Sequence, residues 1–202
     1  MARTRSALLE AARHLFAAQG LEATTIAQIA DGADIAVGSF YNYFQTKDEL
    51  LAALVREALG EQLAQLQARQ AKVEDVAEAV SIAHRHLVGL VERQPDWAWL
   101  LVRLEVPNRI VNLTLRGAAT ADMKRGIESG RFRVSSPEVA LQASGGALLA
   151  VIHSRLLGEL GEQAACDHAE GILRSFGVDP VEAAEIARRP LPAIETPAGE
   201  PS

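Results

Sequence analysis

The chain lacks the features that would place it in several large protein classes. Its 202 residues include a single cysteine, Cys166, which excludes an intrachain disulfide framework and suits a reducing cytoplasm. No segment approaches the roughly 18 consecutive apolar residues that a membrane helix needs, so no membrane partner is expected. The opening Met-Ala-Arg-Thr-Arg-Ser runs directly into an amphipathic helix and has no signal-peptide core. Strand alternation and internal repeats are missing too. Serines, histidines and acids are present but form no recognisable nucleophile–base set, phosphate loop or metal spacing, so an enzyme is not expected. His84/His86 and Cys166/His168 are each two residues apart and diverge on a helix, so neither a metal site nor a cofactor is implied.

What is present is an ordinary globular composition, 49% hydrophobic and 23% charged, on a chain long enough to bury a substantial core. The most informative stretch is residues 24–51, TTIAQIADGADIAVGSFYNYFQTKDELL. Thr25 can cap a short helix while Gln28, three residues on, reaches back to form a capping box. Ile26, Ile29 and Ala30 then recur at helical spacing. Asp31-Gly32-Ala33-Asp34 is a turn-forming cluster, and the apolar pattern resumes from Ile35 through Phe40, Tyr43 and Phe44. Thr46 with Glu49 forms a second capping box ahead of Leu50, Leu51, Leu54 and Val55. Two short helices at an angle, the second with small and polar side chains facing outward, is a geometry that enters a DNA major groove.

At these residues the chain resembles the TetR family of bacterial repressors. The family's pattern is matched by Thr24-Thr25, by Ile29-Ala30, by residues 38–44 (GSFYNYF) and by residues 47–50 (KDEL). A preceding helix, a following long helix and the chain length fit the same layout; the close match covers about the first quarter of the chain. The resemblance implies an all-α fold. An N-terminal three-helix helix-turn-helix domain, residues 1–46, is joined by a long helix to a helical regulatory domain, residues 47–189. The remainder, 190–202, holds Pro190, Pro192, Pro197 and Pro201 and is expected to be a disordered tail.

The resemblance also implies roles. Val37, Gly38, Ser39, Tyr41 and Asn42 would face the groove, with Asn42 suited to adenine and Val37 to a thymine methyl. Thr25, Tyr43 and Lys47 fall where the family contacts phosphate, and Arg3 and Arg5 would form a flexible arm on the backbone or minor groove. Phe40, Phe44, Ile29 and Ile35 are expected in the core. Two features run against the pattern. Ala36 stands where a capping residue often starts the recognition helix, a loss near ~1 kcal/mol, and Asp34 puts a negative charge close to the expected backbone track. The net charge is also −6, and residues 1–50 carry Arg3, Arg5, Arg13 and Lys47 against Glu10, Glu22, Asp31, Asp34, Asp48 and Glu49. Weak non-specific DNA binding is therefore expected.

Beyond the motif, helices are expected over about 4–19, 47–69, 74–92, 107–129, 136–159 and 163–176, with a short apolar segment at 96–105 and a last helix opened by Asp179-Pro180. Gly20, Gly130 and Gly177 stand at the expected helix ends. Helices 136–159 and 163–176 look like a dimer interface built from Gly145, Gly146, Leu148, Val151, Ile152, Leu156, Ile172 and Phe176. Interior glycines cost up to ~1 kcal/mol each, tolerable where another helix approaches closely. A small-molecule effector is expected in a largely apolar cavity lined by Leu87, Trp97, Trp99, Leu101, Ile110, Leu113 and Met123. His84, Arg103, Asn108 and Thr114 would orient the ligand. The resulting expectation is a homodimeric, ligand-responsive repressor of a pseudo-palindromic operator; a helical adaptor protein that does not read DNA is the alternative.

Overall fold

The computed structural model describes residues 2–70, 72–104 and 109–193. Among the described residues there is no strand, and eleven helices follow in order. They are α1 (Ala2–Gln19), α2 (Ile26–Gly32), α3 (Val37–Phe40), α4 (Lys47–Gln70), α5 (Val76–Val88), α6 (Leu90–Arg93), α7 (Pro95–Leu104), α8 (Arg109–Glu128), α9 (Pro137–Leu156), α10 (Ala164–Ser175) and α11 (Pro180–Arg188). The protein is all-α with an N-terminal helix-turn-helix, as the sequence implies.

Contacts divide the chain into two compact units, Met1–Gly60 with Leu90–Leu115, and Glu61–Gly89 with Arg116–Ser202. Thus α4 runs through both, and α7, which lies in the expected regulatory part, belongs by contact to the first unit. There α1 packs on α2 and α7, and α2 on α3. Leu8, Ala12, Phe16, Ile29, Phe40, Phe44, Leu50 and Leu54 form its buried core, with Trp97 and Leu101 of α7 against it. Each large apolar side chain so buried contributes about 1.5–3 kcal/mol. The second unit is built on α5 and α10 with α9 and α11 beside them. Its core comprises Val76, Val80, Met123, Phe132, Ile172, Leu173, Phe176 and Ile186.

Local rules account for most boundaries. Gly20, Gly130 and Gly177 take left-handed φ of 84°, 72° and 87°, the conformation that ends a helix with least steric cost in glycine. Ser136 and Asp179 cap α9 and α11, each followed by proline at the first helical position. Asp75, which the sequence reading passed over, caps α5 through the Ala77 N–H at 3.0 Å. The expected 74–92 helix breaks at Gly89, and α6 starts one residue later. Gly126 lets the Phe132 ring lie against α8, since a Cβ there would stand 2.0 Å from the ring. Of the expected tail, 190–193 is irregular chain, and the Pro192 carbonyl accepts a hydrogen bond from Arg69 Nη1. The expectation for residues 194–202 lies outside the described residues.

Candidate nucleic-acid interface

The first unit's candidate site begins at the Thr25 cap. The Gln28 N–H donates to Thr25 Oγ1 at 3.2 Å, and Thr25 N–H donates to Gln28 Oε1 at 2.9 Å, completing the expected capping box. The turn after α2 is tighter than the sequence suggests. Gly32 stays in the helix, and Asp34 takes the left-handed conformation, φ 55°. Its N–H donates to Asp31 O at 3.0 Å and the Ile35 N–H reaches back to Ala30 O at 3.0 Å. That is the pairing of a Schellman turn, with aspartate in the place glycine usually takes.

Helix α3 is a single turn, where the sequence pattern extends from Ile35 to Phe44. Ala36 supplies no side-chain cap, as expected. After Phe40 the Asn42 and Tyr43 N–H groups bond three residues back, to Ser39 O and Phe40 O, which tightens the helix into a turn. The faces are cleanly separated. Phe40 and Phe44 are buried in the core, their rings 6.0 Å apart, and Phe40 meets Tyr41 edge-on at 5.5 Å. Val37 and Tyr41, one turn apart, are 45% and 47% exposed. Asn42 is exposed beside them, Ser39 and Tyr43 half-exposed, and a Cβ on Gly38 would meet open space. Ile29 and Phe40 are core residues as expected, and Ile35 packs partly buried against that core.

The basic residues behave differently from the sequence expectation. Lys47 is half-buried, and its Nζ donates to the carbonyls of Leu21 at 2.6 Å and Thr24 at 2.8 Å. Two of its three donors are thus used on the loop between α1 and α2 rather than presented to solvent. The Thr46–Glu49 box is shifted by one residue: Thr46 Oγ1 accepts from the Glu49 N–H, but the Glu49 carboxylate accepts from Gln45 N–H at 2.7 Å. The expected flexible arm is helical, because α1 starts at Ala2. Within it Arg3 is exposed, whereas Arg5 pairs with Glu57 at 2.7 Å and lies over the Phe44 ring. Arg13 donates to Asp96 at 2.9 Å, holds Glu10 and stands 5.8 Å from the Trp97 ring. His14 Nδ1 also meets Asp96, at 2.7 Å. These contacts fasten α7 to α1.

The expected effector residues fall in different places. Trp97 and Leu101 serve the first unit's core, and Met123 the second's. Asn108, and the side chains of Arg103, Ile110, Leu113 and Thr114, lie outside what is described. Leu87 and Trp99 are half-buried. His84 meets a partner that sequence spacing does not reveal: its Nδ1 lies 2.9 Å from Nε2 of His168 on α10, the rings 4.9 Å apart. Loss of hydration, then repulsion from His168, pushes the His84 imidazole down to about 3, and burial takes His168 down to about 4. Both are therefore neutral at physiological pH. His86 is fully buried, because α5 is enclosed on nearly every side. Among the described residues no group of three or more His, Cys, Asp or Glu could hold a metal. The second unit has an open cleft of about 570 Å³ lined by Val151, Leu160, Gln163, Ala164, Asp167 and His168, a different set from the expected one.

The expected pairing residues divide as well. Ile152, Ile172 and Phe176 are buried within their own subunit, at 0%, 7% and 3% exposed, because the last two complete the core under α5. Gly145, Leu148, Val151 and Leu156 are half-exposed and Gly146 exposed; a Cβ on either glycine would meet nothing of its own chain. Only Ser144 and Ile152 are buried along all of α9. This helix has the length and composition of a membrane span, with 11% of the window buried. Its uncovered residues Val139, Ala143, Gly146, Ala150 and Leu157 follow one face.

Comparison with known proteins agrees with this layout. Residues 8–54 match the bacterial regulatory proteins of the tetR family, and residues 75–189 match the tetracyclin repressor-like C-terminal domain. The fold superimposes on a crystal structure of RolR in complex with the ligand resorcinol with a TM-score of 0.77 and 33% identity, covering 96% of this chain and 97% of that one. The transcriptional repressor KstR2 of Mycobacterium tuberculosis is 50% identical over 52 residues, which is 26% of either chain. The match thus spans about a quarter of that relative's length. The repressor AcnR of Corynebacterium glutamicum is 25% identical over 146 residues, 66% of this chain and 71% of that protein. A matching helix-turn-helix domain, followed by a matching C-terminal domain, makes this chain a member of the TetR family of transcriptional regulators, and not an enzyme.

Proposed function

We propose that the protein is a homodimeric, cytoplasmic repressor that binds a pseudo-palindromic operator and is released by a small molecule. The observation that carries this reading is α3. Val37 and Tyr41 stand nearly half exposed on one side of a helix whose other side is locked by Phe40 and Phe44. A one-turn helix with half-exposed Ser39 and exposed Asn42 beside them fits base-edge contact, and Thr25 and Tyr43 lie at its flanks. The uncovered face of α9 supports pairing with a second copy, which would set two reading helices about 34 Å apart on DNA. RolR, with its resorcinol ligand, supports a small-molecule effector bound by residues 47–189, the regulatory part on this reading. An effector acts only through differential affinity for two conformations. Within the first unit, two parts of that regulatory stretch touch α1: α7 through Arg13 and Asp96, and the start of α4 through Arg5 and Glu57.

The bare Ala36 cap and the acidic balance favour a second reading, a helical adaptor of the same fold. A mobility-shift titration on DNA flanking the protein's own coding region separates the two. The repressor reading expects saturable binding to one pseudo-palindrome, weakened at least severalfold in Asn42→Ala and Tyr41→Ala proteins that remain folded dimers. A folded dimer with no sequence preference there, nor in a selection from random duplexes, assigns the adaptor role.

A further inference from the structure

The described cations of residues 1–60 are mostly committed inside the unit. Arg13 holds Glu10 and Asp96, Arg5 holds Glu57, and Arg56 donates to the Ala52 carbonyl. Lys47 is half-buried. Its stem packs at the start of α4 while its ammonium closes on the carbonyls of Leu21 and Thr24 at 2.6 and 2.8 Å. Thr24 is itself buried, its hydroxyl donating to Gly20 O at 2.7 Å and accepting from Gln19. The lysine thereby pins the loop that leads into the Thr25 cap, and so sets where α2 and α3 begin. In this position only the third N–H is left for a phosphate, and drawing the ammonium fully out to one would leave two carbonyls without their charged donor, a loss charge-assisted hydrogen bonds make expensive. Around the same element Glu22, Asp31, Asp34, Asp48 and Glu49 are exposed carboxylates, which raise the repulsion any phosphate meets.

We infer that Lys47 is a positioning residue rather than a phosphate ligand, and that this protein holds its operator with little counterion release. Neutral donors and groove contacts on Ser39, Tyr41, Asn42 and Tyr43 do the holding. This rests on the operator-binding reading above. Affinity for DNA changes with salt in proportion to the phosphates neutralised, with a slope of about −0.9 per phosphate. A dimer using only the exposed Arg3 of each subunit gives a log–log slope of about −2, whereas enlisting Arg5 and Lys47 as well gives about −5.

The test is fluorescence anisotropy on the full-length protein with the tightest duplex recovered from random-sequence selection, between about 50 and 200 mM salt. A wild-type slope near −2 is expected. For Lys47→Met the thermal midpoint drops and operator affinity weakens, while the slope stays as in the wild type. A slope of −5 or steeper overturns the inference without touching the repressor reading. So does a Lys47→Met slope shallower by about 2, one phosphate lost per subunit. If Lys47→Met does not fold, the wild-type slope alone decides. Failure to recover any preferred duplex overturns the operator reading itself, and this inference with it.

Discussion

Helices α3 and α9 both turn apolar side chains to solvent, and they do so under opposite constraints. On α3 the exposed apolar groups are Val37 and Tyr41, set among Gly38, Ser39 and Asn42, over a base held by Phe40 and Phe44. On α9, twenty residues long, only Ser144 and Ile152 are buried, while Val139 is 67% and Leu157 53% exposed with small residues between them. A small apolar spot ringed by hydrogen-bonding groups suits a surface that is itself polar, such as a groove floor. A continuous stripe of small and apolar groups instead needs a matching helix, because water wets it at a cost and no polar partner gains from it. The lesson is that an exposed valine says little alone; its neighbours along the face decide what would cover it.

The comparison can be broken first at α9, where the largest effect is expected. Ala150→Glu, on that uncovered face, would bury an unpaired charge in the paired state, costing several kcal/mol. Light scattering should then show the dimer weakened by more than a hundredfold, with the helical content of the monomer kept. An unchanged dimer would mean that α9 is not the pairing face. Gly146→Ala probes the same face more gently, since a Cβ there meets nothing of its own chain.

The supports beneath the two faces also differ. The second unit contains the His84–His168 pair, whose pKa values in the folded protein, about 3 and about 4, lie below the ordinary 6.5. The unfolded chain therefore takes up protons that the folded one refuses. Stability is full above about pH 6.5 and falls as pH drops from there towards 4. Carboxylates held low by arginine, such as Asp75 against Arg131, lose their contribution only below that window. Calorimetric scans should show several degrees lost between pH 6.5 and 4.5 in the wild type and a flatter profile for His168→Gln. A matching loss in both proteins would remove the histidines as its cause.

Smaller effects belong to α3. Tyr41→Ala should weaken operator binding by about 1–3 kcal/mol, roughly tenfold to a hundredfold, with an unchanged thermal midpoint, because the ring is half exposed. A fall in the midpoint without loss of affinity would make the tyrosine a packing residue. Smallest of all, Ala36→Ser should restore the missing cap and stabilise the protein by up to about 1 kcal/mol in a denaturant titration.

The helices and their ends were legible because local chemistry decides them. Thr25 with Gln28, Ser136 with Pro137, and Gly20, Gly130 and Gly177 all act within a few residues of themselves. Which side of α3 is exposed was legible for the same reason, through the spacing of Phe40 and Phe44. Less legible was the length of α3, since a missing cap and three-residue hydrogen bonds compete with the apolar pattern only weakly.

What tertiary structure alone decided are the partners far apart in the chain. Periodicity marks Lys47 as the start of a helix, but only the fold brings the Leu21 and Thr24 carbonyls to its ammonium. Histidine spacing on α5 and α10 argues against a metal, yet says nothing of two rings 84 residues apart meeting at 2.9 Å. Arg131, which joins Asp75 and Glu182 at 2.9 and 2.7 Å, had no sequence signal at all. Trp97 was read as a pocket wall and packs, partly buried, against the first unit's core, because apolar residues at helical spacing look alike whether they line a cavity or close a core. Sequence therefore determined the helices, their caps and the family; packing determined which charges remain free for a partner, because a charge's availability depends on neighbours that the chain order does not name.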